Sequence, residues 1–115
     1  MKTITIKRVY DNKSADGSYR ILVDRLWPRG IRKIDLQIEE WNKEVAPSVA
    51  LRKWFDHKKE RFEEFSKLYI HELMAKTDEV NRLKIIAKTE DITLLYAAKD
   101  PEINHAIILK DYLSN

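Results

Sequence analysis

The segment Asp-Arg-Leu-Trp-Pro-Arg-Gly at positions 24–30 carries the clearest chemical signal in the sequence. Arginine side chains bind carboxylates and phosphates through paired hydrogen bonds, so Arg25 and Arg29 indicate an anion site. Trp27 would form a flat apolar wall beside them, and Asp24 is a candidate general base. A structural role is equally open: Trp27 would then anchor the core, and Asp24 would pair with an arginine.

A second group of such residues lies near the C-terminus. Aspartate followed by proline is typical of a helix start, so we predict a helix that Asp100 caps. Lys99 would add positive charge beside the free N–H groups of that helix end, although the cap itself would occupy some of them. Tyr96 and Asn104 are further candidates for ligand binding. His105 is a candidate acid, because histidine exchanges its proton near neutral pH.

A third segment, Trp41 to Ser48, contributes fewer candidates. Glu44 is an alternative general base, or a partner for an arginine. Ser48 follows a proline and has no activating partner in the sequence pattern. We therefore predict that Ser48 caps the helix that comes next.

Composition excludes several other kinds of site. The 115 residues include no cysteine, which rules out disulfides, thiolate metal sites and cysteine nucleophiles. The three histidines lie far apart, and neither a zinc-binding spacing nor a glycine-rich phosphate loop occurs, so we expect no metal and no cofactor. The formal net charge of +3 is weak evidence for nucleic-acid binding. With no secretory signal and no membrane-spanning run, we expect a cytoplasmic protein.

Hydrophobic periodicity predicts the elements that must position these residues. Alternation predicts strands at residues 3–10 and 19–26, and an apolar run at 92–98 predicts a strand buried on both faces. The connection between the first two strands is short, so a hairpin and a shortened crossover are both open. Residues 31–47 look irregular, with a short helical turn near residues 36–43.

Helical spacing of apolar residues fills the middle of the chain. A helix should begin after Ser48, break at Asp56 and His57, and resume; a further helix should be capped by Asp78. Strands near both ends with helices between and after them predict a small single-domain α/β protein over residues 1–115. Its sheet should be mainly parallel, with helices packed around it.

Ligands of parallel sheets gather at the carboxyl ends of the strands, where these segments would meet. We therefore expect one shared site, with two aromatic walls and five charged or titratable side chains: Trp27, Tyr96, Asp24, Arg25, Arg29, Lys99 and His105.

Four strings of residues also carry a family resemblance, in order along the chain: Asp24 to Gly30, Trp41 to Ser48, Leu51 to Phe55, and Leu94 to Asp100 with Asn104 and Ala106. Together they resemble the YeaO-like family, a branch of the domain-of-unknown-function superfamily numbered four-eight-eight. The resemblance implies a small bacterial or archaeal α/β protein with parallel strands and no established reaction.

The wider superfamily tends to have Cys-Ala-Glu after its last strand and Cys-His-Arg on the next helix. The matching strings here are Tyr-Ala-Ala at positions 96–98 and Asn-His-Ala at positions 104–106, so only Ala97 and His105 agree. The resemblance therefore implies that any thiol chemistry of the wider group is absent from this chain.

Three functions follow as hypotheses. The first is binding of a small anionic ligand, a nucleotide or a phosphorylated metabolite, with Asp24 or Glu44 as base and His105 as acid if a reaction occurs. The second is nucleic-acid binding through the basic segment Arg20 to Lys33, with Trp27 stacking on a base. The third is a non-enzymatic interaction protein that uses its aromatic residues as an oligomer surface. The sequence leaves the oligomeric state open.

Overall fold

The computed structural model describes residues 2–115, which form a parallel sheet flanked by helices. The strands are β1 (Ile4–Arg8), β2 (Tyr19–Leu22), β3 (Glu40–Trp41) and β4 (Ile92–Tyr96). The helices are α1 (Val49–Phe55), α2 (Phe62–Met74), α3 (Thr77–Thr89) and α4 (His105–Ser114). Within the residues described, no helix is both long enough and apolar enough to cross a membrane.

Strand β4 lies at the centre of the sheet. The strand order is β1-β4-β2-β3, and every neighbouring pair is parallel. All five residues of β4 are buried, because the strand has neighbours on both edges and cover on both faces. The predicted α/β class with a mainly parallel sheet is therefore confirmed. A hairpin between β1 and β2 is excluded, since β4 separates them.

The two faces of the sheet have different cover. Successive side chains of a strand point to opposite faces. Leu94 accordingly packs into the main core, formed with the helices, whereas Leu95 packs into a smaller second core. The second core also contains Val9, Ile31 and Leu36, which come from connecting segments. Segments before and after β2 thus cover one face of the sheet without an α-helix.

The start of the last helix differs from the prediction. Helix α4 begins at His105, and the side chain of Asn104 caps it by accepting a 3.0 Å hydrogen bond from the Ile107 N–H. Asp100 instead accepts from the N–H groups of Glu102 and Ile103, at 2.9 and 3.1 Å. Aspartate before proline closes a turn as readily as it caps a helix, and here the turn is formed.

Three other boundaries also differ. Strand β2 ends at Leu22 rather than at residue 26. The predicted helical turn at residues 36–43 is wrong, because residues 40 and 41 form β3. The N–H groups of Glu39 and Asn42 donate to carbonyls of β2, which holds that segment extended. Asp78 lies inside the first turn of α3 and does not cap it.

The predicted limits of the first helix are confirmed. Ser48 caps α1 by accepting a 3.1 Å hydrogen bond from the Leu51 N–H. The helix ends at Phe55, and Asp56 and His57 follow in the left-handed region, with φ of 49° and 55°. Left-handed backbone costs an L-residue free energy that glycine does not lose.

We expect Asp56→Gly to stabilise the protein. Asp56 is exposed and left-handed. The relief of backbone strain should outweigh the entropy gained by the unfolded chain, for a net gain of about 1 kcal/mol. The melting temperature should rise by roughly 3–6 °C. Asp78→Gly, in the right-handed first turn of α3, is the control and should lower the melting temperature. Equal effects of both substitutions would contradict the assignment of strain to Asp56.

Candidate functional site

Asp24 and His105 lie together at the carboxyl edge of the sheet. Asp24 follows β2 closely, and its Oδ2 accepts a 2.9 Å hydrogen bond from the N–H of Ala97, just beyond β4. His105 is the first residue of α4, and its Nε2 lies 2.9 Å from the Val23 carbonyl and 3.2 Å from Asp24 Oδ1. The pair therefore joins the ends of two strands to the start of a helix.

The Val23 carbonyl determines which ring nitrogen of His105 carries a proton. The Val23 carbonyl can only accept, so Nε2 carries hydrogen and donates to it. That N–H is not aimed at Asp24 Oδ1, which has no hydrogen bond despite the short separation. Oδ1 is also fully enclosed and is the one such orphaned side-chain atom in residues 2–115. A general base must reach its substrate, and this oxygen cannot without a rearrangement.

Tyr69 completes this buried cluster, although nothing in the sequence reading assigned it to the site. Its helical spacing places it in the apolar stripe of α2, so the sequence pattern indicates a core residue and gives no sign that its hydroxyl has a role. Its ring meets the His105 ring edge-on at 6.1 Å, and its hydroxyl donates to the Val45 carbonyl. Burial raises the pKa of Tyr69 well above its ordinary value, and the charges of Glu72 and Asp24 add to that effect.

Arg25 turns away from this pair. Its Nε and Nη2 donate to the carbonyls of Pro47 and Ala46, at 3.0 and 3.2 Å. The guanidinium thereby holds the segment before α1 and lines a pocket of about 220 Å³ between residues 44–48 and the C-terminal part of α2. Glu44 also lines that pocket and pairs with Lys76 at 3.0 Å.

Three predicted ligand-binding residues lie in packed surroundings. The indole N–H of Trp27 donates to the Ile31 carbonyl at 2.6 Å, and the ring packs edge-on against Trp41 with the centroids 5.2 Å apart. Tyr96 is 3% exposed, and burial is the first cause of its raised pKa. Asn104 is 2% exposed and serves as the α4 cap. These residues stabilise the carboxyl edge of the sheet by packing and by hydrogen bonds to the backbone.

Arg29 and Lys99 are exposed, and Arg8 connects the segments that carry them. Arg8 ends β1, and its Nε donates to the Ala98 carbonyl at 3.1 Å, one residue before Lys99. Its guanidinium carbon lies 4.8 Å from the centre of the Tyr10 ring, and the Tyr10 hydroxyl donates to the Arg29 carbonyl at 2.8 Å. Arg8 and Tyr10 could have been selected by the strand-end rule applied to β1. We call Arg8, Tyr10, Arg29 and Lys99 the Arg8 cluster.

The basic segment from Arg20 to Lys33 does not form one surface. Arg20 is 1% exposed and donates to the carbonyls of Gln37 and Asn12, so it is a core residue and cannot contact a nucleic acid. Arg32 pairs with Asp35 at 2.7 Å. Lys33 remains exposed and lies 5.7 Å from the Trp27 ring. The described part of the chain holds no group of three potential metal ligands.

Comparisons with known proteins place the chain in a family. The chain is 49% identical over 110 residues to the uncharacterised protein YeaO of Escherichia coli strain K12, which covers 96% of each chain. It is 37% identical over 111 residues to the uncharacterised protein Rv3073c of Mycobacterium tuberculosis H37Rv, covering 96% of this chain and 93% of the relative. No solved structure matches significantly. A family model described as the inactive DUF488-N3 subclade matches residues 3–115. The chain therefore belongs to the DUF488-N3i family, a YeaO-like branch whose function is not established.

Proposed function

We propose that the protein binds a small anionic ligand at the carboxyl edge of its sheet and does not convert it chemically. The observation that supports this proposal is the position of Arg8. Through Arg8 and Tyr10, the carboxyl end of β1 contacts the backbone beside both Arg29 and Lys99. These contacts join the segments that carry three cationic side chains at the edge where parallel sheets bind ligands, which supports the proposal.

The charge balance of the Arg8 cluster favours an anion. The Arg8 side chain is 30% exposed, and its Nη1 lies 3.8 Å from Asp11, a loose pair with a carboxylate that is itself 72% exposed. Arg29 and Lys99 form no ion pair with any residue from 2 to 115. A phosphate group would supply the anionic partner that the Arg29 and Lys99 side chains lack. Arginine suits phosphate especially well because its N–H groups match the spacing of the oxygens.

The contacts of the candidate base and acid, Asp24 and His105, support the proposal that the ligand is not converted. Asp24 Oδ1 is enclosed, and His105 Nε2–H is directed at a backbone carbonyl. Both residues hold elements together, which is a structural task. The description of the family as inactive agrees with this proposal. The ligand is accordingly a phosphorylated metabolite or a nucleotide that is bound and released unchanged.

Ligand-dependent thermal unfolding tests the proposal. Inorganic phosphate, nucleotides and sugar phosphates are added to the purified protein and to the double variant Arg29→Ala/Lys99→Ala. A ligand at about 100 times its dissociation constant stabilises by about 2.7 kcal/mol, which corresponds to roughly 10 °C here. The double variant should lose that shift, because both side chains are exposed and their removal leaves the core intact.

The matched control removes the same charge elsewhere. Arg52→Ala/Lys88→Ala takes two exposed cations from α1 and α3, and it should keep the full ligand shift. A panel without any stabilising phosphate compound would overturn the proposal. So would a shift that the Arg29→Ala/Lys99→Ala protein retains.

A further inference from the structure

The pocket between residues 44–48 and the C-terminal part of α2 shares no residue with the Arg8 cluster. Its volume is about 220 Å³, and its walls include Arg25, Tyr69, Glu72 and Leu73. That volume is below the range of about 300–1,000 Å³ of pockets for drug-sized ligands. The pocket therefore suits a small metabolite.

Two opposite charges in this pocket are held in place. Arg25 uses Nε and Nη2 on backbone carbonyls, so the guanidinium is fixed while Nη1 has no hydrogen bond to any of residues 2–115. The Glu72 carboxylate accepts from the N–H and the hydroxyl of Ser48, at 2.8 and 2.6 Å. Because these side chains are ordered before a ligand arrives, binding would not have to order them.

Two further charges can exchange partners. Glu44 and Lys76 line the same pocket and pair at 3.0 Å, with 66% and 42% of their side chains exposed. Exposed ion pairs are worth about 0–1 kcal/mol, so a ligand can replace either partner at little cost. The pocket thus offers two cationic and two anionic groups, one fixed and one exchangeable of each sign.

The remaining walls are apolar. Tyr69, Leu73 and Ala46 form the buried floor beneath the pocket, with 0%, 2% and 5% of their surface exposed, and Ala75 is the exposed apolar residue of its lining. A ligand that fits must therefore carry both charges and an aliphatic portion. A net anion would face both glutamates, and a net cation would face both basic residues.

We propose that this pocket binds a small zwitterion, an aliphatic α-amino acid or a close analogue. The carboxylate of the ligand is recognised by Arg25 and Lys76, and its ammonium group by Glu72 and Glu44. Its side chain lies over Ala75 and the methylene stem of Lys76. The site is separate from the phosphate site proposed above, so either can fail without the other.

Titration followed by amide NMR spectra tests the pocket. The probes are L-alanine and L-leucine, together with isoamylamine and isocaproate, which are leucine without its carboxylate and without its ammonium group. We expect L-leucine to shift amide signals of residues 44–48 and 69–76 in a saturable way. Each analogue should bind at least about tenfold more weakly, since each loses one set of charge-assisted hydrogen bonds.

Two substitutions complete the test. Glu44→Gln removes an exposed charge from the pocket mouth and should weaken L-leucine binding several-fold without affecting folding. Glu63→Gln, also on the surface and 90% exposed, should leave binding unchanged. The proposal is overturned if neither amino acid gives saturable shifts, if isoamylamine or isocaproate binds as well as leucine, or if both substitutions act equally.

Discussion

Replacing Arg20 by methionine should lower the free energy of unfolding by about 3–5 kcal/mol, which is a large part of the stability of a domain of this size. Arg20 is 1% exposed, and its guanidinium donates to the carbonyls of Gln37 and Asn12 and pairs with Asp16. Methionine fills similar space but leaves two partly buried carbonyls without their donors and Asp16 without one of its cationic partners, and unsatisfied acceptors are costly. Urea unfolding of the purified variant measures the loss.

The matched control is Arg32→Met. Arg32 pairs with Asp35 at 2.7 Å, but 79% of its side chain is exposed, so its loss should change stability by no more than about 0.5 kcal/mol. A loss below about 1 kcal/mol for Arg20→Met would contradict the assigned structural role. The comparison also bears on function, because a residue this deep in the core is not available to a nucleic acid.

The elements predicted well from the sequence are those with one dominant pattern. Strand β4 was identifiable because an uninterrupted apolar run requires cover on both faces, and all five of its residues are buried. The α1 start was identifiable because proline and serine together indicate a cap. Strand β3 was not, because two residues carry no periodicity and pairing with β2 alone defines them. The α4 start was displaced because a turn and a cap share the same Asp-Pro signal.

The candidate site, like the fold, could be predicted from the sequence only in part. Strand-end reasoning predicted that Asp24 and His105 would share the carboxyl edge, and they lie 3.2 Å apart. It could not predict that Arg25 would turn to the carbonyls before α1, since side-chain direction depends on a segment twenty residues later. Tyr69 escaped because its helical spacing marks a core position, and its ring does lie in the core. Spacing predicts burial, but it does not report what a buried hydroxyl or carboxylate contacts.

Alkaline pH should destabilise the protein mainly through Tyr69. Burial, with the charges of Glu72 and Asp24, raises the pKa of Tyr69 well above the ordinary tyrosine value of 10.0. In the unfolded chain the phenol loses its proton near pH 10, whereas in the folded protein it keeps it. The folded state then binds more protons, so stability is complete below about pH 10 and falls by up to about 1.4 kcal/mol per pH unit above it.

Tyr69→Phe separates this effect from other alkaline titrations. The variant loses the hydrogen bond to Val45, so it should be less stable at neutral pH by about 1–3 kcal/mol. Its stability should nevertheless fall less steeply than that of the wild type between about pH 10 and pH 11. The hydrogen bond from Tyr19 to Glu40 and the burial of Tyr96 also raise the pKa values of those phenols, so some alkaline loss should persist. Tyr112→Phe, at a half-buried position of α4, is the control. Parallel stability curves for Tyr69→Phe and the wild type would mean that the Tyr69 hydroxyl reaches water, and the buried cluster with His105 and Asp24 would have to be reassigned.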